Sequence, residues 1–141
     1  MSWLLDTCVV SELVKPAPST AVVNWVNARE ENTLYLSALT FGELEKGLAK
    51  LPDSARRTRI QDWVRRDLAD RFRDRILSID SAMAACWGAL SGAAEARGEP
   101  LPVIDSLIAA TSLRHDLTVV TRNLTDFKRC GARCVDPWET D

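Results

Sequence analysis

The segment Trp3-Leu4-Leu5-Asp6-Thr7 places an acidic residue directly after a short apolar run. An apolar run of this length predicts a buried β-strand, here one that ends at Asp6. Similar short runs recur along the chain, at residues 34–36, 76–79, 117–121 and 132–135. Helical patterns separate these runs, so the sequence predicts an α/β fold with a three-layer arrangement. We expect a mostly parallel central sheet of about five short strands, with helices on both faces.

Apolar spacing and capping residues predict the helices between these strands. Pro102 is expected in the first turn of one helix, and Asp80 or Ser81 at the start of an alanine-rich helix that ends near Gly98. Ile60 and Leu68 mark an arginine-rich helix after Pro52. Further helical patterns lie at residues 11–15, 20–30 and 39–51.

The composition is that of one ordinary globular domain. The chain has 141 residues, of which 46% are hydrophobic and 27% charged, and it shows no internal repeat or long linker. We therefore expect a single domain over residues 1–141. Asp6 interrupts the first apolar stretch, and the most apolar window, residues 82–90, is too short to cross a bilayer. We expect a cytoplasmic protein with no membrane span, whose four cysteines are reduced thiols.

Charge is unevenly distributed along the chain. Residues 56–75 contain eight arginines and four aspartates, which leaves a net charge of −6 elsewhere because the whole chain carries −2. This run could contact an RNA backbone. A solvated helix face with local ion pairs, such as Arg66–Asp70 and Arg71–Asp74, is the favoured interpretation.

Three acidic residues are predicted to meet at one edge of the sheet. Asp6 ends the first strand, Glu43 lies early in the helix after the second, and Asp105 lies early in a later helix. In a parallel sheet, the carboxyl ends of the strands and the starts of the following helices share one edge, where ligands bind.

Each acid also has a purely structural explanation. Asp6 could cap the following helix. Thr40-x-x-Glu43 matches a capping box, in which Glu43 would bond back to its own helix start. Asp105 could be an acid favoured by the helix dipole.

Clustered carboxylates repel one another unless a cation lies between them. Ligands that are all oxygen favour hard ions such as Mg²⁺ or Mn²⁺, and such ions support phosphodiester hydrolysis. The chain has one histidine, His115, so a nuclease that uses a pair of histidines as acid and base is excluded.

These residues resemble the PIN-domain ribonucleases, and among them the VapC-type toxins of type II toxin–antitoxin systems. The resemblance covers essentially the whole chain in the right order. It is carried by LLDT (4–7), VSE (10–12), LSALTFGEL (36–44), DSLIAAT (105–111), VTRN (120–123), DF (126–127) and DPW (136–138).

The resemblance implies an endoribonuclease with Asp6, Glu43 and Asp105 as ligands of Mg²⁺ or Mn²⁺, and with the hydroxyl of Thr7 or Thr121 nearby. Family members often have a fourth acid two residues after the last threonine. Asn123 occupies that position here, and Asp126 is the nearest replacement. The expected partners are an RNA substrate, a VapB-like antitoxin that silences the toxin in a hetero-oligomer, and a second copy in a homodimer.

Two other functions are compatible with parts of the pattern. Asn123 would suit a catalytically weakened PIN domain that binds RNA or a partner without cutting it. A receiver-like signalling domain also gathers acids around Mg²⁺. It would, however, need a lysine after its last strands, and none is suitably placed.

Overall fold

Five parallel strands form the centre of the protein, for which a computed structural model describes residues 1–139. The strands are β1 (Trp3–Leu5), β2 (Leu34–Ser37), β3 (Ile76–Leu77), β4 (Thr118–Val120) and β5 (Cys134–Val135). Their order across the sheet is β3-β2-β1-β4-β5, with every neighbouring pair parallel. The predicted parallel sheet of five short strands is confirmed.

Within residues 1–139, a short 3₁₀-helix (Glu31–Thr33) precedes β2, and eight α-helices connect the strands. They are α1 (Thr7–Leu13), α2 (Thr20–Asn27), α3 (Ala38–Ala49), α4 (Ala55–Asp62), α5 (Ala69–Arg71), α6 (Ser81–Ala96), α7 (Val103–Arg114) and α8 (Leu124–Arg129). A π-helical stretch, Trp63–Leu68, joins α4 to α5, so the arginine-rich segment is one continuous helical rod. None of the helices within residues 1–139 is long and apolar enough to span a membrane.

The core lies on both faces of the sheet because successive strand residues point to opposite sides. Leu5 packs with Val9 and Val22 of the first two helices, whereas its neighbour Leu4 packs with Ile108 of α7 and Phe127 of α8. All six side chains are almost fully buried. The helices on both faces therefore cover apolar sheet surfaces, as the sequence predicted.

Strand register sets the geometry of the carboxyl edge. Leu5 pairs with Val120, and the Asp6 amide continues this ladder by donating to the Val120 carbonyl at 2.9 Å. The Thr121 amide donates to the Val135 carbonyl, also at 2.9 Å. The residues that follow β1 and β4, Asp6 and Thr121, are therefore held side by side.

Several predicted boundaries were wrong for local physical reasons. The first helix begins at Thr7 instead of residue 11, because Asp6 caps it directly after the strand. Pro102 is the N-cap residue of α7 and not part of its first turn. Helix α8 was not predicted, since six residues are too few to show a clear helical period.

The arginine-rich segment makes ion pairs, but with other partners than predicted. Arg71 pairs with Glu31 at 2.8 Å instead of Asp74, and Asp70 pairs with Arg73 at 2.8 Å instead of Arg66. The pairing with Glu31 connects the arginine-rich segment to the turn before β2.

Shortening the Leu4 side chain in the central strand β1 should destabilise the fold strongly. Leu4 is fully buried at the centre of the sheet. We expect Leu4→Ala to lower the free energy of unfolding by about 3 kcal/mol, because it leaves a cavity between sheet and helices. Leu113→Ala is the matched control: this leucine on α7 is 50% exposed, and its loss should cost less than about 1 kcal/mol. Urea unfolding measures both values, and equal costs would contradict this assignment of the core.

Candidate functional site

A cleft of about 500 Å³ opens at the carboxyl edge of the sheet. The residues that line it come from the loops after β1 and β4 and from helices α1, α3 and α7. They are Asp6, Thr7, Cys8, Ser11, Glu43, Asp105, Arg122 and Asn123. The structure therefore brings the three predicted acids to one cleft, although they are far apart in sequence.

Asp6 both caps a helix and faces the cleft. Its Oδ1 accepts a hydrogen bond from the Thr7 amide at 2.8 Å, which makes Asp6 the N-cap residue of α1. Its Oδ2 accepts from the Thr121 hydroxyl at 2.8 Å, and the Cys8 thiol lies 3.7 Å from the same oxygen. The capping explanation for Asp6 is thus correct, and it does not remove the carboxylate from the cleft.

Glu43 does not form the capping box that its sequence pattern suggested. Helix α3 begins at Ala38, and its cap is Ser37, whose Oγ accepts from the Leu39 amide at 3.1 Å. Glu43 lies one turn further along and accepts a 2.6 Å hydrogen bond from the Thr7 hydroxyl. Thr7 therefore connects the start of α1 to the acid on α3.

Asp105 occupies the first turn of α7. This turn is held against α6 by Trp87, whose indole Nε1 donates to Ser106 Oγ at 2.9 Å. Asp105 Oδ2 accepts from the Asn123 side-chain amide at 3.1 Å. Its position near the helix start agrees with the dipole explanation, and its side chain nevertheless bonds to a residue of the cleft.

Asn123 and Asp126 lie next to Asp105, and Asp126 adds a fourth carboxylate to the group. The Asn123 Nδ2 that bonds to Asp105 also lies 3.0 Å from Asp126 Oδ2. Asp126 lies in the first turn of α8 and also pairs with Arg129 at 3.5 Å. The N-cap position of α8 belongs to Asn123. One amide thus bonds to two carboxylates, of which that of Asp105 lines the cleft.

The carboxylates of the cleft affect one another electrostatically. Burial, together with the charges of Asp6, Asp126 and Glu43, raises the pKa of Asp105 to about 6. Burial also raises the pKa of Asp6, against the hydrogen bonds from Thr121 and Thr7, and the charge of Glu43 acts in the same direction as burial. The cleft therefore carries more negative charge than its own hydrogen bonds compensate.

The donor set fits a hard divalent cation. The candidate ligands are carboxylate oxygens whose repulsion a cation would relieve. Among residues 1–139, no three histidine, cysteine or acidic side chains form a ready-made ligand cage. Mg²⁺ commonly binds through one or two protein carboxylates and several waters, so a cage of three is not required.

Sequence patterns did not single out three residues near the acids. Cys8 and Arg122 line the cleft, and Thr40 is fully buried with its hydroxyl 3.2 Å from that of Thr7. Cys8 and Arg122 lie within two residues of Asp6 and Thr121, so proximity along the chain was the available signal. Thr40 was noted only as the start of a supposed capping box.

Comparisons with known proteins agree on one family. The family model described as the PIN domain matches residues 3–132. The chain is 37% identical to VapC ribonuclease Y4jK of Sinorhizobium fredii, over 96% of this chain and 97% of the relative. It is 33% identical to toxin FitB of Neisseria gonorrhoeae, over 96% and 97% of the two chains. The crystal structure of FitAcB from Neisseria gonorrhoeae superposes with a TM-score of 0.91, at 33% identity, covering 98% of this chain and 99% of that one.

The raised pKa of Asp105 predicts a pH-dependent stability of the metal-free protein. An aspartate in an unfolded chain has a pKa near 3.9, so the folded protein holds this proton more tightly. The free energy of unfolding should therefore fall as the pH rises from about 4 through about 6, and stay lowered above that range. Asp105→Asn removes this effect. In EDTA at about pH 7.5, this variant should gain about 1 kcal/mol in the free energy of unfolding, after allowance for solvent screening. Its melting temperature should therefore exceed that of the wild type by a few degrees.

This difference should shrink toward about pH 4, where Asp105 is protonated in both states. Asp53→Asn, at an exposed loop position, is the control for loss of one negative charge. A lower melting temperature for Asp105→Asn at every pH would show that the carboxylate mainly stabilises the start of α7.

Proposed function

Because this chain belongs to the PIN-domain family, and within it to the VapC-type toxins, we propose that Asp6, Glu43 and Asp105 hold a Mg²⁺ or Mn²⁺ ion for RNA hydrolysis. The protein is the RNA endonuclease toxin of a VapBC-type toxin–antitoxin pair, and we propose that it inhibits translation by cutting RNA.

One observation carries the proposal for the site. Carboxylates from three separate segments face one cleft, closely enough that Asp6 and Glu43 both raise the pKa of Asp105. Such an arrangement opposes folding unless it serves a cation. At neutral pH, Asp105 is mostly ionised, since its pKa lies near 6, and it is therefore available as a ligand.

The chain's own hydroxyls keep the carboxylates in position. Thr121 is fully buried and donates to one oxygen of Asp6, while Thr7 donates to Glu43. The second oxygen of Asp6 accepts from the Thr7 amide, whereas the second oxygen of Glu43 is left for an ion. When bound, a divalent ion supplies a Lewis acid that activates water and stabilises the leaving oxygen of the phosphodiester. Thr7 and Thr121 thus act as supporting hydroxyls.

We assign the fourth acidic position to Asp126, with Asn123 as the residue that orients it. Asn123 cannot supply a negative charge, but its amide donates to both Asp105 and Asp126. The charge of Asp126 also contributes to the raised pKa of Asp105, so its carboxylate acts within the same electrostatic group. Asp126 would then be the residue that holds a second ion.

The partner of the protein is a VapB-like antitoxin, as in the VapBC and FitAB complexes that share its fold. We further propose that the toxin is a homodimer in the cytoplasm and that residues 1–141 form one PIN domain. The family match leaves the receiver-like alternative without support. A weakened, non-cutting PIN domain is the remaining rival, because Asn123 replaces an acid.

Cleavage of RNA by the purified chain tests the proposed site. We expect total bacterial RNA to be cut in Mn²⁺ or Mg²⁺ but not in EDTA, and Asp6→Asn or Asp105→Asn to lower the rate about 100-fold. Millimolar Mn²⁺ should also raise the melting temperature of the wild type more than that of Asp105→Asn, because an ion bound only to the native state stabilises it. Asp53→Asn should behave as the wild type in both measurements. Cutting that persists in EDTA or in both variants would exclude this site.

The assignment of Asp126 has its own test. Asp126→Asn should lower the cleavage rate about tenfold, and adding Asn123→Asp to that variant should restore part of it, because it returns an acid to the cleft. Arg129→Gln removes the ion pair of Asp126 while keeping its charge, and it should leave the rate close to that of the wild type. If Asp126→Asn and Arg129→Gln behave alike, Asp126 has only a structural role.

A further inference from the structure

Arg122 is a cationic side chain in an otherwise acidic cleft. It directly follows the buried Thr121, is exposed to solvent, and lines the same cleft as Asp6, Glu43 and Asp105. Within residues 1–139, no acidic side chain lies at ion-pair distance from its guanidinium. Its charge is therefore available at the place where a phosphate must approach several carboxylates.

Glu12, an acid that interacts electrostatically with Arg122, already has other partners. Glu12 accepts from Lys15 Nζ at 2.9 Å with one oxygen and from the Ser19 amide at 2.8 Å with the other. Its interaction with Arg122 is a weak electrostatic one without a hydrogen bond. Neutralisation within the fold therefore does not explain the position of Arg122.

Trp138 fixes the orientation of Arg122. The guanidinium carbon lies 3.9 Å from the centroid of the indole ring, a close cation–π contact. Trp138 itself packs against the core cluster that contains Leu5 and Val120, and its amide donates to Asp136 Oδ1 at 2.8 Å. The segment after β5 thus provides an anchored platform beside the cleft.

A stacked guanidinium uses its face and keeps its N–H groups free at its edge. These planar donors match the oxygens of a phosphate in a two-point contact. Stacking also restricts the side chain before RNA arrives, which lowers the entropy lost on binding. Arg122 is therefore arranged to receive an anion.

We propose that Arg122, oriented by Trp138, binds a phosphate of the RNA strand beside the bond that is cut. This inference rests on the proposed function for its substrate. Arg122 is then a substrate-binding residue, and Trp138 is a positioning residue that acts through it. The last turn of the described chain, with its Asp136-Pro137-Trp138 motif, gains a role in substrate binding.

Equilibrium binding of a fluorescein-labelled, 12-nucleotide single-stranded RNA tests the proposal, measured by anisotropy in EDTA at several salt concentrations. A gel run afterwards shows that the RNA is intact. We expect Arg122→Ala to weaken binding about tenfold and to reduce the salt dependence by about 0.7 in log Kd per log salt, the value for one lost phosphate contact on a single strand. Arg122→Lys should lie between this variant and the wild type, because it keeps the charge and loses the planar fork.

Arg114→Ala is the matched control. Arg114 is exposed and without an ion pair in the described chain, and it lies at the opposite end of α7 from Asp105, about 14 Å away at 1.5 Å per residue. Its loss should change binding less than about twofold.

Two Trp138 variants test the positioning role. Trp138→Leu should weaken binding several-fold in the wild type but have little further effect on Arg122→Ala, because the two residues act as one unit. Trp138→Phe should retain most of the binding, since it keeps an aromatic face. In Mn²⁺, Arg122→Ala should raise KM for RNA cleavage while changing kcat by less than about threefold. Melting temperatures confirm that each variant is folded.

If Arg122→Ala binds RNA with the affinity and salt dependence of the wild type, the proposal is overturned. Arg122 would then have a role in pairing with a carboxylate of a protein partner, or in folding. Equal, additive effects of Trp138→Leu in both backgrounds would overturn the positioning role. A chain that binds RNA through Arg122 but cuts none in Mn²⁺ would refute the proposed function and leave this contact standing. A chain that cuts RNA without using Arg122 would do the reverse.

Discussion

Repulsion between carboxylates at one edge of the sheet is the constraint around which this structure is organised. Burial of Asp6 and the approach of Asp105 to it cost free energy, which is visible in the raised pKa values of both side chains. The two threonine hydroxyls and the amide of Asn123 offset only part of this cost. A site with uncompensated negative charge is suited to bind a cation, and this is the chemical basis of the proposed nuclease.

The parallel sheet makes this concentration of charge possible. Because β1 and β4 are adjacent and in register, Asp6 and Thr121 leave the sheet together, and the buried hydroxyl can donate across the gap. The N-terminal parts of α3 and α7 lie at the same edge, so Glu43 and Asp105 line one cleft with Asp6. The apolar packing of Leu4 and Leu5 on the two faces provides the rigidity that holds the charged groups together.

The arginines of this protein differ in what holds their charge. Several arginines of the helical rod between β2 and β3 form ion pairs, with Glu45, Glu31 and Asp70. Arg122 differs, because an aromatic ring and not a carboxylate holds it. An aromatic partner orients the cation without neutralising it, so its charge is retained for a phosphate.

The sequence alone determined the architecture and the identity of the three acids. Short apolar runs that alternate with helical periods are sufficient to predict a covered parallel sheet, and the family motifs name Asp6, Glu43 and Asp105. Helix boundaries were predicted less well, since a cap such as Asp6 acts through one hydrogen bond that leaves no periodic signal. Only the tertiary structure decided that Glu43 bonds to Thr7, that Asn123 holds Asp126 beside Asp105, and that Trp138 lies under Arg122. Each of these contacts joins residues brought together by strand order or helix packing, and hydrophobic periodicity carries no information about which polar side chains then meet.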